Sequence, residues 1–570
     1  MRDFEDLKSC GGQAESFELN GLPNEAHHAG TSIPMKTSKL NSVTLELLWR
    51  RLISTVDEAA ASLVRTSFSS IVRESNDFAC VITDAQGYSI AQASNGIPSF
   101  IGTAPRTIRY FLERFPEDQL QDGDIIITND PWLGTGHLPD ITVGKPIFSN
   151  GRLVGWAGSV AHAPDIGGRV RSADATSVFE EGLQIPVMKV MRAGKMDETL
   201  EQILRKNVRV PDQMMGDLYA QFTGLALMER NVRELMAEYG LVTLEELSAE
   251  LRGRSEQAMR KAISAIPDGT YCADAISDGI DQPIRLKMAL TIRGDEVEVD
   301  FEGTDGQVQK SINVCLAYTT AYTSYGLKAV LCPDIPNNDG ALVPLKISAP
   351  LGSILNSTPP AAGGARALIG HFLPAMVVQA LAQVVPEKVV ATAGSPLWCV
   401  NMAGVRPDGR GFANLFFLNG GYGASARSDG VDVLSWPSNI SSTPVEIIEQ
   451  VAPLKVHCRR FRQTNQANGA YRGGLGQEML LESLSDHPAT ISFMAERTRE
   501  ESAAPGMSGG SPGAPGEIQI DGVKVNPKAQ HIIKRGSKVL LRTPGGGGYG
   551  DPAHRSPEQK QQDLIRGYTK

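Results

Sequence analysis

Hydrophobic residues recur at helical spacing in only two stretches of this chain; elsewhere they fall into short runs closed by turn residues. From Thr44, a candidate helix N-cap, Leu45, Leu48, Leu52, Val56, Ala59 and Leu63 follow at three- and four-residue steps. A second helical region runs from about Leu200 to Ile266. There Leu218, Phe222, Leu225, Val232, Leu235 and Met236 share a face, Gly240 supplies a stop, and Thr243 with Glu246 reads as a capping box. Between and beyond lie strand-like runs such as Ala79-Cys80-Val81-Ile82 and Ile125-Ile126-Ile127. Ile284 to Ile292 alternates, Gly294-Asp295 turns the chain, and Val297 to Phe301 alternates back, which predicts a β-hairpin. Glycine (58) and proline (34) make roughly 16% of the 570 residues, against a usual ~12%, so an all-helical bundle is not expected.

The expected fold class is therefore α+β: a large intertwined multi-layer body with short strands, glycine-rich loops and two helical regions. Residues 1–40 are polar and aperiodic and are expected to form a disordered extension. An N-terminal α+β domain spans 41–198, a helical region 199–266, a central α+β domain 267–400, a glycine-rich, β-rich C-terminal domain 401–556, and a frayed helical tail 557–570.

The net charge of −9 disfavours a general nucleic-acid binder, which needs a basic surplus to displace counterions from phosphates. No apolar stretch approaches the roughly 18–20 residues that cross a bilayer. The first residues, with Asp3, Glu5 and Asp6, carry no apolar leader segment. Seven scattered cysteines without a CxxC pair disfavour both a disulfide framework and a zinc knuckle. A cytoplasmic protein with neither a nucleic-acid nor a membrane partner is expected.

Three segments bring imidazoles and carboxylates together. His137 lies in Thr128-Asn-Asp-Pro-Trp-Leu-Gly-Thr-Gly-His-Leu-Pro-Asp140, a stiff loop in which His137 and Asp140 can converge on one cation. His162 ends an apolar strand in Ala161-His-Ala-Pro-Asp-Ile-Gly-Gly168, and Arg73-Glu-Ser-Asn-Asp77 offers further carboxylates at a strand edge. Two histidines with one or two carboxylates suit Mn²⁺, Fe²⁺ or Zn²⁺, whereas a His-x-x-Asp pair by itself is usually the mark of a hydrogen-bonded loop. His371 and His457 lack such neighbours and read as structural; His27, His28, His487, His531 and His554 read as surface or tail residues. Gly545–Gly548 leads into Tyr549-Gly-Asp-Pro552 rather than Lys-Ser/Thr, so it is no phosphate loop, and it reads with Gly420-Gly-Tyr-Gly423 as tight turns. Gly506-Met-Ser-Gly-Gly510 fits Gly-x-Ser-x-Gly but has neither a strand before it nor a helix after it, so no nucleophile elbow is expected.

Taken together, Arg73-Glu-Ser-Asn-Asp-Phe78, Asn129-Asp-Pro131, Gly136-His-Leu-Pro-Asp140, His162-Ala-Pro-Asp-Ile-Gly-Gly168, Glu181-Gly182, Asn439, Thr443-Pro-Val-Glu446, Tyr471-Arg-Gly-Gly-Leu-Gly476 and Thr543-Pro-Gly-Gly-Gly-Gly-Tyr-Gly-Asp-Pro552 resemble the hydantoinase B/oxoprolinase family over residues ~43–555. That family includes the B-type component of N-methylhydantoinase, acetone carboxylase alpha subunits and the C-terminal half of 5-oxoprolinase. The resemblance implies a metal-binding subunit of a heteromeric ATP-dependent amidohydrolase, with ATP bound by a hydantoinase A-like partner and a divalent metal (Mn, Zn or Fe) held here. It places the ligands on His137, Asp140 and His162 and on a carboxylate of the Arg73–Asp77 segment, Asp77, with Glu74 as the alternative or as a supporting catalytic group. Asp165 would orient a ligand histidine or take a proton. The substrate would be a cyclic amide; a ketone, in an ATP-dependent carboxylase, and a non-catalytic scaffold role are the alternatives. The chain departs from the family at Arg169-Val-Arg-Ser-Ala173, where a Pro-Gly-Ser step is frequent, at Gly363-Gly-Ala-Arg-Ala367 and at Gly394-Ser-Pro396, departures expected to alter the substrate pocket or the passage from the partner.

Overall fold

A seven-stranded antiparallel sheet forms the N-terminal half of the body in this computed structural model, which describes residues 41–569 except 407 and 465. The extension expected over residues 1–40 lies outside the described residues. The sheet contains β1 (Phe78–Asp84), β2 (Ser89–Gln92), β3 (Ile125–Thr128), β4 (Asp140–Ser149), β5 (Arg152–His162), β6 (Met188–Arg192) and β7 (Lys195–Met196), in the order β2-β1-β5-β4-β3-β6-β7. Strands β1 and β5 are buried on both faces and therefore read as continuous apolar runs rather than alternating ones. One face is covered by helices Ser42–Thr66 and Pro211–Tyr239, which pack on each other and on β1, β4 and β5. Pro211–Tyr239 ends at Gly240 in the left-handed conformation, the stop read from sequence.

Two helix starts differ from expectation. The first helix begins at Ser42, two residues before Thr44. Helix Glu245–Ile263 has no side-chain cap: the fully buried Leu244 takes the cap position, and Thr243 Oγ1 accepts only a long bond from Glu245 N (3.4 Å). Anchoring Leu244 in the core displaces the capping box.

The second sheet, β8 (Gly269–Ser277), β9 (Ile284–Arg293), β10 (Glu296–Asp300) and β11 (Leu345–Ser348), contains the expected hairpin, with Arg293 paired to Glu296 around Gly294-Asp295. Three helices were not legible as such: Pro98–Arg114, Leu316–Leu331 and Phe372–Leu381. The last is buried at nine of its ten positions, so it shows no amphipathic period. These helices and the first two sheets share one hydrophobic core.

The third sheet holds β12 (Trp398–Val405), β13 (Gly411–Leu418), β16 (Ala489–Met494) and β19 (Gln530–Ile533). The fourth holds β14 (Leu454–Phe461), β15 (Gln477–Ser483), β17 (Glu517–Ile520), β18 (Val523–Lys524) and β20 (Lys538–Arg542). A second core lies between these two sheets.

Gly420–Gly423 and Gly545–Gly548 are not the tight turns expected of them. Gly420–Gly423, Gly473–Gly476, Gly506–Gly513 and Gly545–Gly548 are irregular segments joined to one another by backbone bonds, including Gly421 N to Pro544 O (3.0 Å), Gly546 N to Gly474 O (3.0 Å) and Gly548 N to Ser511 O (3.0 Å). A Cβ on Gly546 would lie 2.2 Å from Tyr422 O, and one on Gly473 2.1 Å from Gly546 O. Glycine is required here by close backbone approach, not by turn geometry. The frayed C-terminal tail is instead a capped helix, Pro557–Ile565, whose Ser556 and Gln559 form a capping box. Among the described residues no helix is long and apolar enough to cross a membrane, and the described cysteines are all unpaired.

Candidate metal centre

Strand β5 lies between β1 and β4 and runs antiparallel to both, so the end of β5 meets the beginnings of its two neighbours. His162 is the last residue of β5, Asp140 the first of β4, and Asp77 directly precedes β1. Asp140 and His162 are paired in register, which puts their side chains on the same face. His137 comes from the loop that enters β4. This loop is held by Asn129, whose amide donates to Leu138 O (2.8 Å) and Leu183 O (2.9 Å) and accepts from Ile185 N (2.6 Å). Gly136 has φ +93°, and a Cβ there would strike Arg366 Cδ at 2.8 Å. Glycine thus lets a buried guanidinium reach the site.

Potential ligand atoms of His137, Asp140 and His162 all lie within 4.8 Å of one another, and all three residues are buried. Asp140 Oδ1 is 2.7 Å from His137 Nε2 and 2.8 Å from His162 Nδ1. Its Oδ2 accepts from Thr135 Oγ1 (2.5 Å) and Arg366 Nη2 (2.7 Å). His137 Nδ1 bonds Gly364 O at 3.2 Å, which assigns its proton to Nδ1 and leaves Nε2 as a lone pair. That Nε2 is buried and, despite its short distance to Asp140, has no aligned hydrogen-bond partner. Asp77 Oδ2 is 3.9 Å from His162 Nδ1.

The electrostatics follow from burial and from Arg366. Burial, with Arg366 adding to it, holds His137 well below the usual imidazole range; burial likewise brings His162 down to about 4. Burial also pushes Asp140 upward, but the two histidines and Arg366 outweigh it and keep the carboxyl well below its ordinary value. Asp77 is raised to about 8, by burial first and then by the neighbouring Asp140 charge. Neutral imidazoles beside a carboxylate, with one orphaned nitrogen lone pair, form a donor set that fits a divalent N/O-ligated cation.

The four groups line a cavity of about 40 Å³ with Tyr318, Tyr322, Arg366 and His371, room for an ion and a few waters. His371, expected to be structural, accepts from Leu397 N and bonds Tyr322 Oη (3.1 Å) at this wall, where burial lowers it to about 3. His457 is exposed and pairs with Glu482. Glu74 is half-buried, paired with Arg73 (2.8 Å), and lines neither this cavity nor the outer one. Asp165 lines an outer cavity of about 60 Å³ with His162, its oxygens held by Arg209 N and Nη1. Sequence reasoning singled out the segments that carry Arg171 and Arg366 as departures from the family but gave neither side chain a role, and it missed Asn401. For Arg366 the available signal was a charged residue amid Ala365, Ala367, Leu368 and Ile369.

A buried His/Asp cluster at the end of an antiparallel sheet, inside a mixed α+β body, defines a candidate metalloprotein. Residues 41–552 match the family model of hydantoinase B/oxoprolinase, and the chain belongs to that family. It is 32% identical over 558 residues to the B-type component of a putative D-/L-hydantoinase of Pseudomonas sp. (strain NS671), covering 93% of each chain. The crystal structure of an ATP-dependent caprolactamase from Pseudomonas jessenii superposes with a TM-score of 0.83 at 27% identity, covering 93% of this chain and 95% of that one. Nucleotide-free acetone carboxylase shares the fold, with a TM-score of 0.84 at 22% identity, covering 92% and 78%.

Proposed function

We propose that this chain is the metal-holding subunit of a heteromeric ATP-dependent amidohydrolase that opens a cyclic amide, with ATP bound by a hydantoinase A-like partner. The observation that carries the reading is the orphaned His137 Nε2, a lone pair buried 2.7 Å from Asp140 Oδ1, which a bound cation would satisfy together with the carboxylate. The likeness to a B-type hydantoinase component and to an ATP-dependent lactamase supports the substrate class and the division of labour between two chains. The carboxylase alternative rests on likeness of fold alone.

His137, Asp140 and His162 would hold the cation, with Asp77 rather than Glu74 as the fourth group, since Asp77 is buried at the same cavity. A divalent cation bound there would supply Lewis-acid chemistry, polarising the oxygen on the ring carbonyl carbon whose bond to nitrogen is to be broken. Gly364 O fixes the His137 tautomer, and Thr135 and Arg366 fix the Asp140 rotamer. Asp165, in the outer cavity beside His162, would accept a proton there. Glu74 acts only through the segment that carries Asp77.

The test is metal content and ATP-dependent ring opening by the co-purified complex. His137→Ala, Asp140→Asn and His162→Ala are each expected to lose the metal and at least about 100-fold in rate, while the complex still assembles. Full activity in a metal-free complex would overturn the proposal; full activity of an assembled His137→Ala complex would make the chain a scaffold. Bicarbonate-dependent consumption of a ketone, without ring opening, would make it part of a carboxylase.

A further inference from the structure

The outer cavity and the metal cavity share two lining residues, His162 and Arg171. Arg171 belongs to the segment that departs from the family pattern. Its Nε donates to Gly364 O (2.9 Å) and its Nη1 lies 3.4 Å from His162 Nε2. The other two arginines lining the outer cavity are neutralised: Arg169 pairs with Glu180 (2.7 Å) and Arg209 with Asp165 (2.6 Å). Arg171 has no carboxylate within ion-pair distance among the described residues. Glu181 lines the same cavity, but its oxygens are taken up by Ser311 Oγ and the amides of Gly363 and Gly364.

Asn401 lies across from it on β12. Cys399, Asn401 and Ala403 alternate onto one face of that strand; Cys399 lines the inner cavity, Asn401 and Ala403 the outer. Asn401 is 6% exposed, and its Nδ2 is buried without a partner. Leaving such a donor unmet is costly unless something enters the cavity to accept from it. A half-buried guanidinium without a counter-ion and an orphaned amide donor thus converge on a space bordering the metal ligands.

We propose that Arg171 and Asn401 form an oxyanion subsite, so that this chain selects a cyclic amide whose reacting form carries a negatively charged group. The inference rests on the amidohydrolase reading and deepens it. Charge-assisted bonds from Arg171, seconded by Asn401 Nδ2, hold the anion at the rim and present the ring to the metal cavity through the His162 edge. The charge has two sources: a carboxylate on the substrate, or the phosphoryl group that activation in the partner places on the amide oxygen.

Calorimetric titration of the full chain with 2-pyrrolidone-5-carboxylate, 2-pyrrolidone and inorganic phosphate separates them. If the source is a carboxylate, 2-pyrrolidone-5-carboxylate binds about 10- to 100-fold tighter than 2-pyrrolidone; Arg171→Gln removes that preference, Arg171→Lys restores part of it, and Asn401→Leu weakens it. If phosphate alone binds in an Arg171-dependent way, the anion is the phosphoryl group. Equal binding of all three by the wild type and Arg171→Gln, or no binding of any, overturns the subsite. Metal content of the Arg171→Gln protein and ATP-dependent ring opening by the wild-type complex report separately on the amidohydrolase reading.

Discussion

At Asp140 a single buried carboxylate meets two imidazoles on one oxygen and Thr135 with Arg366 on the other. The two oxygens have different tasks: one faces the two imidazoles of the candidate cation site, the other is spent on holding the rotamer. Thr135→Val keeps the volume and deletes one of the holding bonds. Its metal affinity should fall by about 10- to 100-fold, read by competition with a chelator of known affinity, with the fold unchanged by circular dichroism. That His137, Asp140 and His162 gather was legible because the three segments pair imidazoles with carboxylates and resemble the family's motifs, whereas the His-x-x-Asp spacing alone marks a hydrogen-bonded loop more often than a ligand pair. Arg366 was not, because nothing local tells a charged residue in an apolar segment that its partner lies 226 positions away.

Among the elements, the glycine segments show how a local signal is misread. Repeated glycine looks like a run of turns, yet here it marks backbones in contact, and only the neighbouring segments reveal that. Gly546→Ala would drive a methyl to within 2.2 Å of Tyr422 O. It should destabilise the protein by at least about 3 kcal/mol, read as a lower urea midpoint. The C-terminal helix is tied down by Arg555, which makes two-pronged contacts to Asp429 (2.8 and 3.0 Å) and to Asp563 (2.8 and 3.0 Å). Burial works to raise Asp429, but Arg555 and the Arg472 amide prevail and hold it below the ordinary carboxylate value. Its folded pKa is therefore below its unfolded one, so the folded state binds fewer protons and stability rises with pH. The contribution is fully present above the unfolded value of about 3.9 and is lost as pH falls through the folded value. Asp429→Asn should cost about 1 kcal/mol at pH 7 and almost nothing well below pH 3, measured by denaturant titration at both.

On the scale of the whole body, the described residues from Ser42 onward form one compact unit, and buried charge helps to join its sheets. Lys528, 2% exposed, sits 3.0 Å from Glu496 and 3.7 Å from Asp278, linking the loop before β19 to the ends of β16 and β8. Lys528→Met strands two buried carboxylates and should cost about 3–5 kcal/mol in a urea titration. The added methionine does not replace what is lost, because Asp278 and Glu496 then either stay charged without a counter-ion or must take up a proton.

Residue type and spacing by themselves determined the segments that gather at the candidate site, the mixed α+β texture and the central hairpin. These depend on side-chain donors and on hydrophobic periods a few residues long. Tertiary structure decided which carboxylate stands beside the histidines, that Arg366 and Arg171 close the site, and that glycine serves contact rather than turning. Each of those is settled by antiparallel pairing and packing between segments remote in the chain, where the deciding distance is through space.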